Sequence, residues 1–163
     1  MNYMNYGLED FQEDIYSFNR VAGNAEKVTQ KDFVAQMKCL KEEVQELNDE
    51  IQAWNDPANL VKETLDVLYV AVGILQKLDT LGIDTSFAMQ EIAENNLEKF
   101  PKRLAVALAS VVLLEDQGVE CKHEFNTDYD CYTIRDSNGK IRKPVTYKNV
   151  DIHNCIPVGF KLP

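Results

Sequence analysis

The stretch from Lys41 to Val70, KEEVQELNDEIQAWNDPANLVKETLDVLYV, sets two acidic pairs against an apolar run. Glu43 and Glu46 stand three residues apart, as do Glu63 and Asp66, and on a helix that spacing puts both members on one face. Sixteen residues lie between Glu46 and Glu63, enough to finish one helix, turn at Asn55-Asp56-Pro57 and return antiparallel. Such a hairpin can turn four carboxylates toward one site. Without a counter-charge they would repel strongly in a partly buried place. A hard divalent cation such as Mg2+, which takes oxygen ligands and usually keeps waters, removes that repulsion. The competing reading makes the acids solvated faces of ordinary helices. It suits the first pair better than the second, because Glu63 and Asp66 sit among Leu60, Val61, Leu65, Val67 and Leu68.

Outward from this stretch, the first two-thirds of the chain reads as helix. Leu8, Phe11, Ile15 and Phe18 give an apolar face to a helix over about 8–21, stopped by Gly23-Asn24. Thr29 and Asp32 form a capping-box start for a second helix. Phe33, Met37, Leu40, Val44, Leu47 and Ile51 then make one seam, and the helix ends near Trp54. Asp56-Pro57 supplies an N-cap and a first-turn proline for a third helix to about Leu78. That helix is apolar on most sides, which suits a central position or a subunit interface. Gly82 breaks the chain, Asp84-Thr85 caps a fourth helix to about Phe100, and KRLAVALASVVLLEDQ reads as a fifth, closed by Gly118. Beyond Gly118 the period shortens. VECKHEF and YDCYTIR alternate like strands, and DSNG leading into KIRKPVTY is a hairpin signal. The expectation is a single domain, with a helical core over about 8–118 and a β-like extension over about 119–163.

With 163 residues, 45% hydrophobic and 27% charged, the chain can bury a sizeable core. A net charge of −10 disfavours nucleic acid and anionic membranes as partners. The start of the chain lacks the charged and apolar regions of a signal peptide, and the apolar stretch from Val67 is broken by Gln76, Lys77 and Asp79. A cytoplasmic location is expected, with Cys39, Cys121, Cys131 and Cys155 as reduced thiols. Cys121, His123, His153 and Cys155 form a CxH and HxC set, but a 29-residue gap fits no zinc spacing, and strand residues with alternating faces are the better reading. Trp54 offers a surface on which a base could stack, although a corner tryptophan covering the helix turn is the simpler role.

EEVQE followed by ETLD resembles the EExxE and ExxD signature of the all-α nucleoside triphosphate pyrophosphohydrolases, the superfamily of MazG and the dimeric dUTPases. NLEKFPKR, at 96–103, resembles the NxxKxxxR segment of MazG-like proteins, in the same order. GKIRKPVTYKNVDI is similar to the ending of phage-encoded members, for which the compartment would be a host cytoplasm. The resemblance implies a mainly α, four- to five-helix bundle with a small C-terminal β-hairpin extension. It implies Mg2+ (or Mn2+) on Glu43, Glu46, Glu63 and Asp66, and a catalytic role for Glu42 and Glu43, with Glu42 orienting the attacking water or holding a second ion. Asn96, Lys99 and Arg103 would contact substrate and its phosphates. The implied reaction hydrolyses a nucleoside triphosphate to the monophosphate and pyrophosphate, in a homodimer or a dimer of dimers.

Two other readings compete. One is a non-catalytic helical oligomerisation module. The other is a phosphoribosyl-ATP pyrophosphohydrolase, which resembles the compact bundle without the β-like tail. No Walker A loop is present, which excludes a motor-type NTPase. Arg135, Lys140, Arg142, Lys143 and Lys148 gather near the DSNG turn, and a clamp over bound phosphates is the expectation for that hairpin.

Overall fold

The computed structural model describes residues 6–24 and 28–163. It contains α1 (Leu8–Val21), α2 (Gln30–Ala53), α3 (Pro57–Thr80), α4 (Thr85–Leu97), α5 (Leu104–Asp116), β1 (Cys121–Asn126), β2 (Cys131–Asp136) and a 3-10 turn at His153–Cys155. Five helices followed by a two-stranded antiparallel hairpin is the mainly α content that the sequence implies. The chain forms two compact units, Met1–Thr85 with Cys155–Pro163, and Ser86–Asn154. The division falls at the start of α4, so α4 and α5 belong with the hairpin.

In the first unit the caps act where the residue types place them. The Thr29 amide and hydroxyl both donate to the Asp32 carboxylate, at 2.8 and 2.7 Å, and start α2. The Asp56 carboxylate accepts from the amides of Ala58 and Asn59 and, with Pro57, starts α3. α3 is the central helix, packed by α1 on one side and α2 on another. α1 buries Ile15 completely, while Phe11 and Phe18 meet the Tyr69 ring edge-on, each at 5.9 Å. Leu8, expected on the same face, is exposed at the helix end.

Polar groups lock these helices in register. The Tyr16 hydroxyl donates to Asp79 at 2.6 Å, the Gln76 amide donates to the Tyr16 carbonyl, and the Gln36 amide donates to the Val70 carbonyl at 3.1 Å. The Tyr16 phenol is pushed up to about 12, by burial and then by the Asp79 carboxylate it donates to. Gly73 makes the α2 contact possible, because a Cβ there would stand 2.8 Å from the Gln36 amide nitrogen. The expected seam of α2 is only half buried. No residue of that helix is fully buried, and Val34, Met37, Val44 and Ile51 stay exposed.

In the second unit α4 ends at Leu97 instead of Phe100. Pro101 cannot continue a helix, and residue 100 before it is steered out of the helical region. Gly118, with φ +78, closes α5 as its position suggests. The strand pairing differs from the sequence reading. β1 pairs with β2 from Cys121↔Asp136 to Asn126↔Cys131, around a turn in which the Asn126 side chain accepts from the amides of Asp128 and Tyr129. DSNG also reverses the chain, but the segment after it makes one bridge, Arg135↔Ile141, and no strand. Pro144 has no N–H to extend that ladder, and the Val145 amide donates instead to the Ser110 hydroxyl at 2.9 Å.

Asp136 organises the DSNG turn. It is 6% exposed and accepts from the amides of Asn138 and Lys140 and from the Arg142 guanidinium, at 2.9 Å from Nε and 2.6 Å from Nη2. Burial alone would push its carboxyl up, but the Lys140 amide and Arg142 hold it below the usual carboxylate range. Its folded pKa is therefore depressed. The stability it contributes is present above the unfolded value of about 3.9 and is lost as pH falls through the folded one. Asp136→Asn is expected to lower the thermal midpoint by more than about 5 °C at pH 7. It should also flatten the dependence of that midpoint on pH below about 4, as followed by circular dichroism.

Candidate active site

The α2–α3 hairpin brings three of the predicted acids together. Single carboxylate oxygens of Glu43, Glu63 and Asp66 all lie within 4.8 Å of one another. Glu43 comes from the middle of α2, while Glu63 and Asp66 come from the second and third turns of α3. The antiparallel return at Trp54–Asp56 sets the two helices side by side. Glu63 is 8% exposed, and one of its carboxylate oxygens is buried with no hydrogen-bond partner. Burial pushes the Glu43 carboxyl up, and the negative charges of Glu46, Asp66 and Glu63 add to the effect. At 4.8 Å and an effective dielectric of about 20, each pair of full charges repels by roughly 3 kcal/mol before solvent screening.

Lys62 relieves part of this repulsion. Its ammonium donates to Glu63 and to Asp66, at 2.9 Å each, and those two hydrogen bonds push its own pKa up. Reading the sequence does not single out Lys62, although its i,i+4 spacing to Asp66 is a usable signal. Nor does it single out Glu50, two helical turns beyond Glu43, which has a buried carboxylate oxygen without a partner.

Glu46 is exposed and lies outside the trio, while still close enough to act on the Glu43 carboxyl. Glu42 is exposed and stands 3.7 Å from the Lys38 ammonium. Trp54 caps α2 in the left-handed region, with φ 47. It is 75% exposed, so it does not cover the helix turn as expected; it borders a cavity of about 210 Å3 with Glu50, Asn55 and Leu60.

Asn96, Lys99 and Arg103 belong to the second unit and do not share one helix. Asn96 lies in the last turn of α4, Lys99 in the turn after it, and Arg103 caps the start of α5. The Lys99 ammonium donates to the Asn96 side chain at 2.5 Å, and the Asn96 amide donates to the Ile92 carbonyl. Among the described residues the cysteines and histidines form no metal-binding group. Cys121 and His123 are on β1 as expected, but His153 and Cys155 lie in the 3-10 turn and not on a strand, and all four thiols are free.

An all-oxygen trio on a helical hairpin, with one carboxylate oxygen left unsatisfied, fits a hard divalent ion. Residues 31–105, which span nearly all of α2, α3, α4 and the segment to Arg103, match the family model of the MazG nucleotide pyrophosphohydrolase domain. This part of the chain is similar to the MazG-like all-α nucleoside triphosphate pyrophosphohydrolases, as its acidic motifs suggest. That family is one of nucleotide pyrophosphohydrolases, typically dependent on divalent metal. Comparison with curated proteins and with solved structures gives no match.

Lys62 and a divalent ion would compete for Glu63 and Asp66. Lys62→Ala is expected to tighten Mn2+ binding by about threefold or more in the absence of nucleotide, because it removes a positive charge from the trio. Calorimetric titration of the full chain checks this, and unchanged or weaker binding would remove Lys62 from that role.

Proposed function

We propose that the protein hydrolyses a nucleoside or deoxynucleoside triphosphate to the monophosphate and pyrophosphate, with Mg2+ as the working ion and Mn2+ as a substitute. The convergence of Glu43, Glu63 and Asp66 carries this reading, because Lys62 meets only Glu63 and Asp66 and a divalent ion would relieve the repulsion among all three. Those three residues would hold the ion, with Glu46 as a further ligand from the same face of α2. When bound, a divalent ion neutralises phosphate charge and lowers the pKa of a coordinated water. Glu42, exposed and next to Glu43 in the chain, would orient the attacking water or hold a second ion. Asn96, Lys99 and Arg103 would bind the substrate, the ammonium as a compact charge and the guanidinium as a two-pronged donor.

We also propose that the chain works as a homodimer or a dimer of dimers. Val34, Met37, Val44 and Ile51 on α2, with Val61 and Leu65 on α3, remain exposed. Apolar helix faces of that extent are usually covered by symmetric pairing.

One panel tests the reaction. Wild-type protein should release pyrophosphate, not orthophosphate, from at least one nucleoside triphosphate when Mg2+ is present. Glu43→Gln and Glu63→Gln should each lower kcat by about a hundredfold or more with unchanged circular dichroism, since a lost ligand misplaces the ion and its water. Full activity in both variants would end the metal assignment, and orthophosphate as the sole phosphorus product would end the reaction type. Lys99→Ala and Arg103→Ala should weaken triphosphate binding more than monophosphate binding. Equal losses for both ligands would take these two residues away from the outer phosphates.

A further inference from the structure

The β1–β2 hairpin has two faces that differ in what they have been given to do. One carries Cys121, His123 and Phe125 opposite Asp136, Ile134 and Tyr132, and it includes the buried Cys121, Ile134 and Asp136. The other places Lys122 opposite Arg135, Glu124 opposite Thr133 and Asn126 opposite Cys131. Lys122 and Arg135 are direct cross-strand neighbours, and like charges so placed destabilise a sheet. Among the described residues neither has a carboxylate partner, in a chain with 27 acidic side chains. Arg142 is different, since its guanidinium is taken up by Asp136.

A cavity of about 500 Å3 opens beside this second face, within the range of small-molecule sites. Its charged lining residues are Lys102 and Arg135, both cations and neither ion-paired. Leu97, Phe100 and Tyr129 give it an apolar wall, and Leu97 and Tyr129 are 68% and 78% exposed. Asn126 and Thr133 add polar groups able to meet the edge of a base. The site is braced. The Arg135 guanidinium donates to the Gly139 carbonyl at 2.9 Å, and the Tyr129 amide is held by the Asn126 side chain at 3.2 Å.

We propose that this cavity binds a nucleoside monophosphate, with its phosphate on Lys102 and Arg135 and its base against Phe100 and Tyr129. Two cations match one doubly charged phosphate group, and Arg135 can offer two donors to it. A triphosphate would bring about twice the charge, and no further cation lines the cavity to meet it. Aromatic faces accept any base by stacking, so the site selects the phosphate and the ring before the base identity. Choosing a nucleoside over other aromatic phosphates rests on the proposed reaction, whose product is a monophosphate. Most of the cavity's lining comes from residues beyond the matched domain.

The experiment uses the full chain carrying Glu43→Gln and Glu63→Gln, in the presence of a chelator, so that neither turnover nor a bound ion contributes. Calorimetry is run with dAMP, dCMP, dGMP and dUMP, and with deoxyuridine and inorganic phosphate as the two halves of the ligand. At least one monophosphate should bind saturably at one per chain, and each half should bind at least tenfold more weakly. Adding Lys102→Ala or Arg135→Ala should weaken binding at least tenfold with an unchanged thermal midpoint, and Arg135→Lys should restore part of the loss. Adding Lys161→Ala, which removes an exposed cation outside the cavity, should leave it within threefold. Absence of saturable binding, or full binding in the Lys102 and Arg135 variants, overturns the site. So does a loss of the same size in the Lys161 variant. Phosphate alone binding as tightly as the nucleotides overturns the base-stacking half. None of these outcomes depends on whether the wild-type protein hydrolyses triphosphates, which the pyrophosphate assay decides separately.

Discussion

Glu63 is a carboxylate that α3 holds almost out of water, with one oxygen satisfied by Lys62 and the other by nothing. A buried charge is costly unless it is paired and hydrogen-bonded, and a half-satisfied one keeps part of that cost. The helix bearing it is also the centre of the first unit, so it cannot rotate this residue outward without exposing Val72, Gly73 and Gln76. The burden is shared with Glu43 across the hairpin, where burial and neighbouring charge already disfavour ionisation. A cation is the arrangement that satisfies all of these groups together.

The rest of the first unit serves to keep that hairpin from relaxing. Capping residues fix where α2 and α3 begin, and the Gln36–Val70 and Tyr16–Asp79 hydrogen bonds fix how they lie against each other and against α1. Gly73 lets the Gln36 side chain reach the α3 backbone. These contacts span long sequence separations, so the geometry of the acidic trio is set by the packing of three helices.

The second unit divides its cations by use. Arg142 is spent on Asp136, and Lys143 stacks over the Tyr147 ring at 4.4 Å while donating to Asn149. The basic stretch around DSNG is therefore partly structural, which a count of charges does not distinguish from a phosphate clamp. Lys102, Lys122 and Arg135 have no carboxylate partner among the described residues, as Lys140 and Lys148 have none, but Lys102 and Arg135 also line one cavity beside the hairpin's polar face.

The helices are legible in the sequence because their signals are local. A 3.6-residue apolar period, Thr29 with Asp32, Asp56 with Pro57, and Gly118 each act within one or two turns, and each acts where expected. The acidic pairs are legible for the same reason, since i,i+3 spacing and the length of a turn are local quantities. Two readings fail where a local signal meets a longer-range rule. DSNG is a genuine turn, but the lasting ladder needs an unbroken row of N–H groups, which Cys121–Asn126 supplies and Pro144 interrupts. Trp54 reads as a cover for its helix turn, whereas the left-handed backbone at that residue leaves the ring in solvent. What only the tertiary structure decided is which of the acids meet. Glu43, Glu63 and Asp66 converge, Glu46 and Glu42 turn toward water, and Lys62 sits among the three. Spacing along one helix places residues on a face, but the crossing of two helices selects which part of that face is enclosed.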